Sequence, residues 1–404
     1  MADEAPARRR GPMLAWLSGR RLRAYCLILL ALEVCLVLTI AAYQWGLVEK
    51  LDGPPIPTNF SSFYAAGVLV DRGTPDLVYS VEAHRAVQQG MYGDPRVNYN
   101  YYFYPPFLLL LCGPLAALPY LAAFYVWAVC QAAAYLAAMR ALVGRGATLL
   151  PYVAFAAAPL SFAMGQNSLL TAALFAAGTA LLGRGRPFLA GLVLGCLVYK
   201  PQFGLLLPVA FLAGREWRAF FGAAASVAAL AAAATAAFGW HIWTSFLALV
   251  GSTTQGTFES GRVALNAMVS PFGTVLMLGG GRTAAYAVQG AAAACCACAV
   301  AWAWRRTRSA ALRSVVLVSA TMLAVPVILF YDFLPAAVCA AWLSVDARRT
   351  GWLPWEKAAM AAMWAVALLG RPLAMSAHVP YGPIVAGLAL WMGVRRVLLE
   401  RASP

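Results

Sequence analysis

The sequence predicts an all-α polytopic membrane protein: about twelve transmembrane helices with a long first extracytoplasmic loop that carries surface helices. Three observations predict it. The 404-residue chain is 62% hydrophobic and only 11% charged, with a mean hydropathy of +0.72, too little charge for a soluble surface of this size. Apolar runs of about 20 residues recur from end to end, the length a helix needs to cross the hydrocarbon core, and they are continuous rather than alternating, which excludes a β-barrel. The arginines fall in short clusters between these runs, so the net charge of +15 reports orientation by the positive-inside rule. It does not report a nucleic-acid partner, because no basic groove with stacking aromatics accompanies it.

Residues 1–23 carry Arg8, Arg9, Arg10, Arg20, Arg21 and Arg23 and are assigned to the cytoplasm. The first apolar run, residues 24–45, exceeds the 7–15 or so residues of a signal peptide core and reads as a retained anchor. It opens a membrane domain over residues 24–397. Residues 46–104 form a slightly acidic external loop, within which VYSVEAHRAVQQGMY reads as an amphipathic helix on the membrane surface. The chain re-enters at Pro105–Pro106 and reaches Arg140 inside. Residues 148–183 make a hairpin with GQN (165–167) at its outer turn. Residues 187–214 make another with YKPQ (199–202) at its middle. Each half of that second hairpin is about 13 residues, too short to span. Such half-helices persist in a bilayer only where protein or a water-filled cavity satisfies the freed backbone.

Residues 217–238 exit again, and residues 239–263 form a second external loop. Residues 264–280 read as either a short span or a surface helix, and residues 283–304 return to the RRTR cluster. A hairpin over 310–345 turns near FYD (330–332). A last hairpin turns between Arg371 and His378, and residues 398–404 form a cytoplasmic tail. The alanine-rich stretches supply small-residue helix contacts. The nine cysteines lack a histidine or second cysteine pair to complete a zinc set, and read as small hydrophobes. Sorted by side, arginine clusters without other polar residues fall inside. Mixed polar groups fall outside, so function is predicted to face the outer leaflet.

Several residues stand out against this background. Lys200 sits between apolar halves, where a lysine costs about 2.5–3.5 kcal/mol on insertion scales. It either reaches the interface or serves as a cation for a phosphate or carboxylate. Asp332 needs a partner, with Arg371 and Arg262 as candidates. Glu33, inside the first span, is a partnered structural acid or a proton relay. Gln166 and Asn167 are turn residues or neutral hydrogen-bonding groups for sugar hydroxyls. VNYNYYFYPPF (97–107) is an interfacial aromatic belt or a platform for a lipid or a sugar ring. Asn59, in TNFSSFYAAG, is open to three readings: a glycosylation acceptor, a hydrogen-bonding amide, or the replacement of a carboxylate that would otherwise act as a base.

Taken in order, TNFSSFYAAGVLVDRGTPDLVY, YFYPPFLLLLCGPLAALP, GQNSLLTAALFAAG and RPFLAGLVLGCLVYKPQFGLLLPVAFLAGREWRAF, with PVILFYDF as a weaker match, resemble family 87 of the glycosyltransferases. The resemblance spans roughly residues 55–345. It implies a GT-C-like bundle and a polyprenyl-phosphate sugar as donor substrate, with no metal and no further cofactor. It implies transfer of a hexose, mannose foremost, to a lipid or glycan acceptor hydroxyl at the outer face of a bacterial inner membrane, with inversion and with both termini cytoplasmic. Membrane lipids are the expected surroundings, and nucleic acid is not an expected partner. The family places an Asp–Phe base after the first span, and that position is Asn59–Phe60 here. Activity then requires another base, with Asp52, Asp71, Asp76 or His378 as candidates, or it has been lost, naturally or by a deliberate Asp→Asn change that traps substrate. The resemblance assigns the donor phosphate to Lys200, Gln202, Arg262 and Arg371, and the sugar or acceptor to Gln166, Asn167, Tyr64, Tyr104 and Asp332. Two alternatives stay open: a lipid or solute transporter, suggested by the broken half-helices and Glu33, and a non-catalytic lipid-sugar binding relative, suggested by Asn59.

Overall fold

The computed structural model describes residues 19–44, 58–256 and 265–400. Among these residues every regular element is helical, and the one strand-like contact is an isolated antiparallel bridge between Met268 and Leu329. Six helices are long and apolar enough to cross a membrane: Gly19–Thr39, Tyr120–Val143, Trp217–Phe238, Arg282–Arg306, Glu356–Ala377 and Gly382–Glu400. The sequence expectation of about twelve spans counted apolar runs that fold as shorter helices, including Pro106–Ala116, Ser168–Gly183, Pro187–Tyr199, Pro201–Gly214 and Ala310–Ala324. Proline, glycine or a polar side chain interrupts most of these runs. Arg262 and Asp52 lie outside the described residues.

The first helix turns Leu27, Ile28, Leu32 and Leu36 outward and packs through its other side on the helices Leu150–Val153 and Ala157–Met164. Glu33 is buried, and its Oε2 meets no hydrogen-bond partner among the described residues, so the partner expected for it is not found there. Arginines tie several chain turns together by capping helix C-terminal carbonyls: Arg184 donates to Ala141, Arg348 to Val143, and Arg313 to Trp304. Arg396 is buried between Glu356 and Asp346, so this cluster is packed structure as well as a topology signal.

The halves of the 187–214 hairpin stay short, as their length predicts. Pro187–Gly195 is α-helical, two 3-10 turns cover Cys196–Tyr199 and Pro201–Gly204, and Leu207–Gly214 resumes as α-helix. The first half is fixed by a small-residue seam against Trp217–Phe238. A Cβ on Gly191 would lie 2.0 Å from the Ala219 carbonyl oxygen, and one on Gly222 would lie 2.3 Å from that of Phe188. Two backbones this close admit no side chain between them, which is how helices associate where lipid removes the hydrophobic drive. Gly191→Val is expected to force the helices apart and to cost about 1–3 kcal/mol or more. The reading is a lower melting temperature in detergent. Gly290→Ala, mid-helix where a Cβ meets nothing within 4 Å, is the control expected not to lower it.

The amphipathic stretch folds as the helix Val81–Tyr92, with its apolar face turned to protein. It packs against Phe60–Asp71 with His84, Val87 and Gln88 buried. Amphipathicity reports an apolar face and not what covers it; here protein covers it.

Candidate active site

The helix Phe60–Asp71 begins immediately after Asn59, whose side chain caps nothing, and buries its first turn from Phe60 to Phe63. The GQN turn is pressed against it. Gly165 has φ +64°, and a Cβ there would sit 2.5 Å from that of Phe60; Trp127 Nε1 donates to the Gly165 carbonyl at 2.9 Å. Only glycine fits both the backbone conformation and this approach. The aromatic strip is tied to the same helix start. Asn100 Nδ2 donates to the Thr58 carbonyl at 3.0 Å and to Ser61 Oγ at 3.2 Å, and Ser62 Oγ donates to the Tyr101 carbonyl at 3.1 Å. The Tyr101 and Phe103 rings stack 5.1 Å apart at 10°.

His84 is the latch behind this strip. Its Nε2 faces the Ser62 carbonyl at 3.0 Å, which can only accept, so Nε2 carries the proton. Nδ1 then accepts from Tyr99 OH at 3.0 Å or Gln88 Nε2 at 3.2 Å. Gln88 in turn pairs with both backbone groups of Asn100. Burial pushes the His84 imidazole down to about 4, against the hydrogen bond to Ser62, which acts the other way. A folded-state value below the unfolded value of about 6.5 means the unfolded chain binds the extra proton. The stability this neutral histidine contributes is present above about pH 6.5 and is lost as pH falls toward 4, roughly 1.4 kcal/mol per pH unit and on the order of 3 kcal/mol in all. Thermal unfolding followed by tryptophan fluorescence should show this loss between pH 6.5 and 4.5. The loss should shrink in His84→Gln, and an equal pH dependence in both forms would contradict the assignment.

Lys200 and Asp332 meet in the interior, 132 positions apart in sequence. The chain leaves helical geometry at Lys200 (φ −135°, ψ 74°) between the two 3-10 turns, which points the side chain inward. Lys200 Nζ donates to Asp332 Oδ1 at 2.6 Å and to Asn167 Oδ1 at 3.3 Å, and Ser168 Oγ donates to the same Asp332 oxygen at 2.9 Å. Both charged side chains are about 5% exposed, so each satisfies the other where an unpaired charge would be costly. Tyr199 OH donates to the Asn167 carbonyl at 3.1 Å and contacts Thr171 Oγ1 at 2.6 Å, fixing the GQN turn from its other side. The expectation that Asp332 pairs with Arg371 or Arg262 is thus corrected: its partner is Lys200. Lys200, in turn, is not a free cation.

These segments enclose a cavity of about 560 Å³. Asn59, Ser62 and Phe63 line it from one helix, Tyr99 to Tyr101 with Phe103 and Tyr104 from the strip, and Met164 and Gln166 from the GQN turn. Tyr199 to Gln202, Leu329 to Asp332, and Arg371, with Val250, Ala267 and Val327, complete the wall. Arg371 lies 4.0 Å above the Phe330 ring centre. Its Nε is buried without a hydrogen-bond partner, and no carboxylate pairs with it among the described residues. Gln166 Oε1 and Asn167 Nδ2 are likewise buried without partners. Of the residues singled out in the sequence, Asn59, Gln166, Lys200, Gln202, Tyr104, Asp332 and Arg371 share this cavity, with Asn167 directly behind it.

Others do not. Tyr64 spends its hydroxyl on the Leu118 carbonyl at 2.8 Å, packs on Tyr120 and does not line this cavity. Asp71 is exposed at the far end of its helix, about 18 Å along the axis from Asn59. His378 is exposed at the left-handed C-cap of Glu356–Ala377. Sequence reasoning missed Ser168 and His84. Ser168 directly follows GQN, and His84 stands one helical turn before Gln88 on the amphipathic face, so both had a local signal.

The family model described as glycosyltransferase family 87 matches residues 102–328, more than half of the chain. The chain belongs to glycosyltransferase family 87. Membership makes it a glycosyltransferase, and its long apolar helices make it a membrane protein. The matched stretch contains the GQN turn, Lys200 and Gln202, whereas Asn59, Asp332 and Arg371 lie outside it. Neither the curated proteins nor the solved structures yield a match to this family 87 chain.

Proposed function

We propose that the protein transfers a hexose, mannose foremost, from a polyprenyl-phosphate sugar to a hydroxyl of a lipid or glycan acceptor. The transfer inverts the anomeric centre and takes place at the outer leaflet of a bacterial inner membrane. One observation carries the reading: the charge balance of the cavity. Lys200 and Asp332 cancel each other, which leaves Arg371 as the one uncompensated charge among the described lining residues. A polyprenyl-phosphate sugar is a phosphodiester with a single negative charge, and its leaving group gains a second as the glycosidic bond breaks. A guanidinium already positioned at that phosphate interacts more strongly with the transition state than with the ground state. The rest of the wall offers amides, phenols and ring faces, which suit sugar hydroxyls and an apolar chain.

The test is to incubate purified protein in nanodiscs with radiolabelled polyprenyl-phosphate mannose and a lipid acceptor extract. Labelled acceptor is the expected product. Donor binding without product supports the binding-protein alternative, and protein-dependent passage of unmodified donor across liposomes supports the carrier alternative. Failure to bind the donor at all rejects the proposed donor.

A further inference from the structure

Asn59 occupies the position at which the family resemblance expects a base, and a neutral amide cannot take a proton from an attacking hydroxyl. The substitutes considered from sequence that fall among the described residues do not line the site. Asp71 and His378 are exposed away from the cavity, Asp76 faces Ser245 at 3.5 Å, and Asp52 is outside the described residues. Among the described residues that line the cavity, Asp332 alone carries a carboxylate. Its two oxygens differ in role. Oδ1 takes both bonds, from Lys200 Nζ and Ser168 Oγ, while Oδ2 takes none and is not among the buried polar atoms lacking a partner. One edge of the carboxylate is therefore anchored and the other opens onto the cavity.

We propose that Asp332 is the catalytic base of the transfer, with Lys200 and Ser168 as the residues that position it; this rests on the transferase reading above. The acceptor hydroxyl oxygen forms a bond to the anomeric carbon as the bond from that carbon to the phosphate oxygen breaks, its electron pair leaving with polyprenyl phosphate. The hydroxyl proton passes to Asp332 Oδ2 and from there to water. The ammonium and the serine hydroxyl hold Oδ1 throughout, so the carboxylate enters the reaction oriented.

The experiment measures donor affinity and transfer rate separately, using polyprenyl-phosphate mannose and the acceptor extract. Asp332→Asn should lower kcat by about 100- to 10,000-fold with donor Kd within about threefold. Added formate should restore transfer in Asp332→Ala in a concentration-dependent manner, a response a structural role does not give. Should Asp332→Asn lose donor binding through a weakened fold, Asp332→Glu decides: it keeps the ion pair but displaces the base, so kcat should fall at least about tenfold at unchanged Kd. A kcat for Asp332→Asn or Asp332→Glu equal to wild type overturns the proposal. So does a wild type that binds donor without transfer and an Asn59→Asp variant that gains it. In both cases the transferase site itself stands, whereas loss of donor binding in every form rejects that site instead.

Discussion

Arg371→Met should weaken the binding of a polyprenyl monophosphate by about 10- to 100-fold, the equivalent of losing one charge-assisted contact of about 1.5–3 kcal/mol. Lys200 looks like the obvious phosphate ligand in sequence, but its charge is already taken by Asp332 at 2.6 Å. Arg371 is half-buried, stacked on Phe330, and has no carboxylate partner among the described residues. A planar guanidinium meets a phosphate with two parallel bonds, so Arg371→Lys should recover only part of the affinity. Because Arg371 holds no ion pair, its replacement should leave the melting temperature nearly unchanged. Equal affinity in Arg371→Met and wild type would mean that the phosphate sits elsewhere.

Lys200→Met should be among the most destabilising single changes in the chain, by about 3–5 kcal/mol, because it strands Asp332 in a site only 4% exposed. The double change Lys200→Met with Asp332→Leu removes both charges together and should return stability to within about 1–2 kcal/mol of wild type, while transfer stays abolished. Thermal unfolding in detergent reads the first effect, and the transfer assay reads the second. A harmless single change would show that Asp332 does not depend on Lys200 as its partner. A double change as damaging as the single would show that the site cannot be repacked with apolar side chains.

What the sequence made legible depended on how local the signal was. The broken hairpin around Lys200 could be read because Pro201 and two apolar halves of about 13 residues are features of one short stretch. The gathering of GQN and YKPQ on the side of Asn59 followed from counting crossings, and the structure does bring these segments together. The Lys200–Asp332 pair had no such signal, since nothing in either segment names a partner 132 residues away. From sequence alone, arginines are therefore the visible partners for Asp332, and a ligand the visible partner for Lys200. Span counting reaches a larger number than the six long apolar helices. Hydrophobic runs such as Ser168–Gly183 and Ala310–Ala324 are apolar enough to be read as crossings but too short as helices. His84 was hidden by its own helix, whose amphipathic pattern fits a membrane surface as well as the protein surface that in fact covers it.

These assignments make the cavity a divided device, with Arg371 at the donor phosphate and the Lys200–Asp332 pair at the acceptor proton. The most direct test is a structure of the full chain in nanodiscs with a polyprenyl monophosphate bound. The account predicts phosphate oxygens within hydrogen-bond distance of the Arg371 guanidinium, with the Lys200–Asp332 pair intact. A phosphate seated on Lys200 with Asp332 released, or bound away from this cavity, would contradict it.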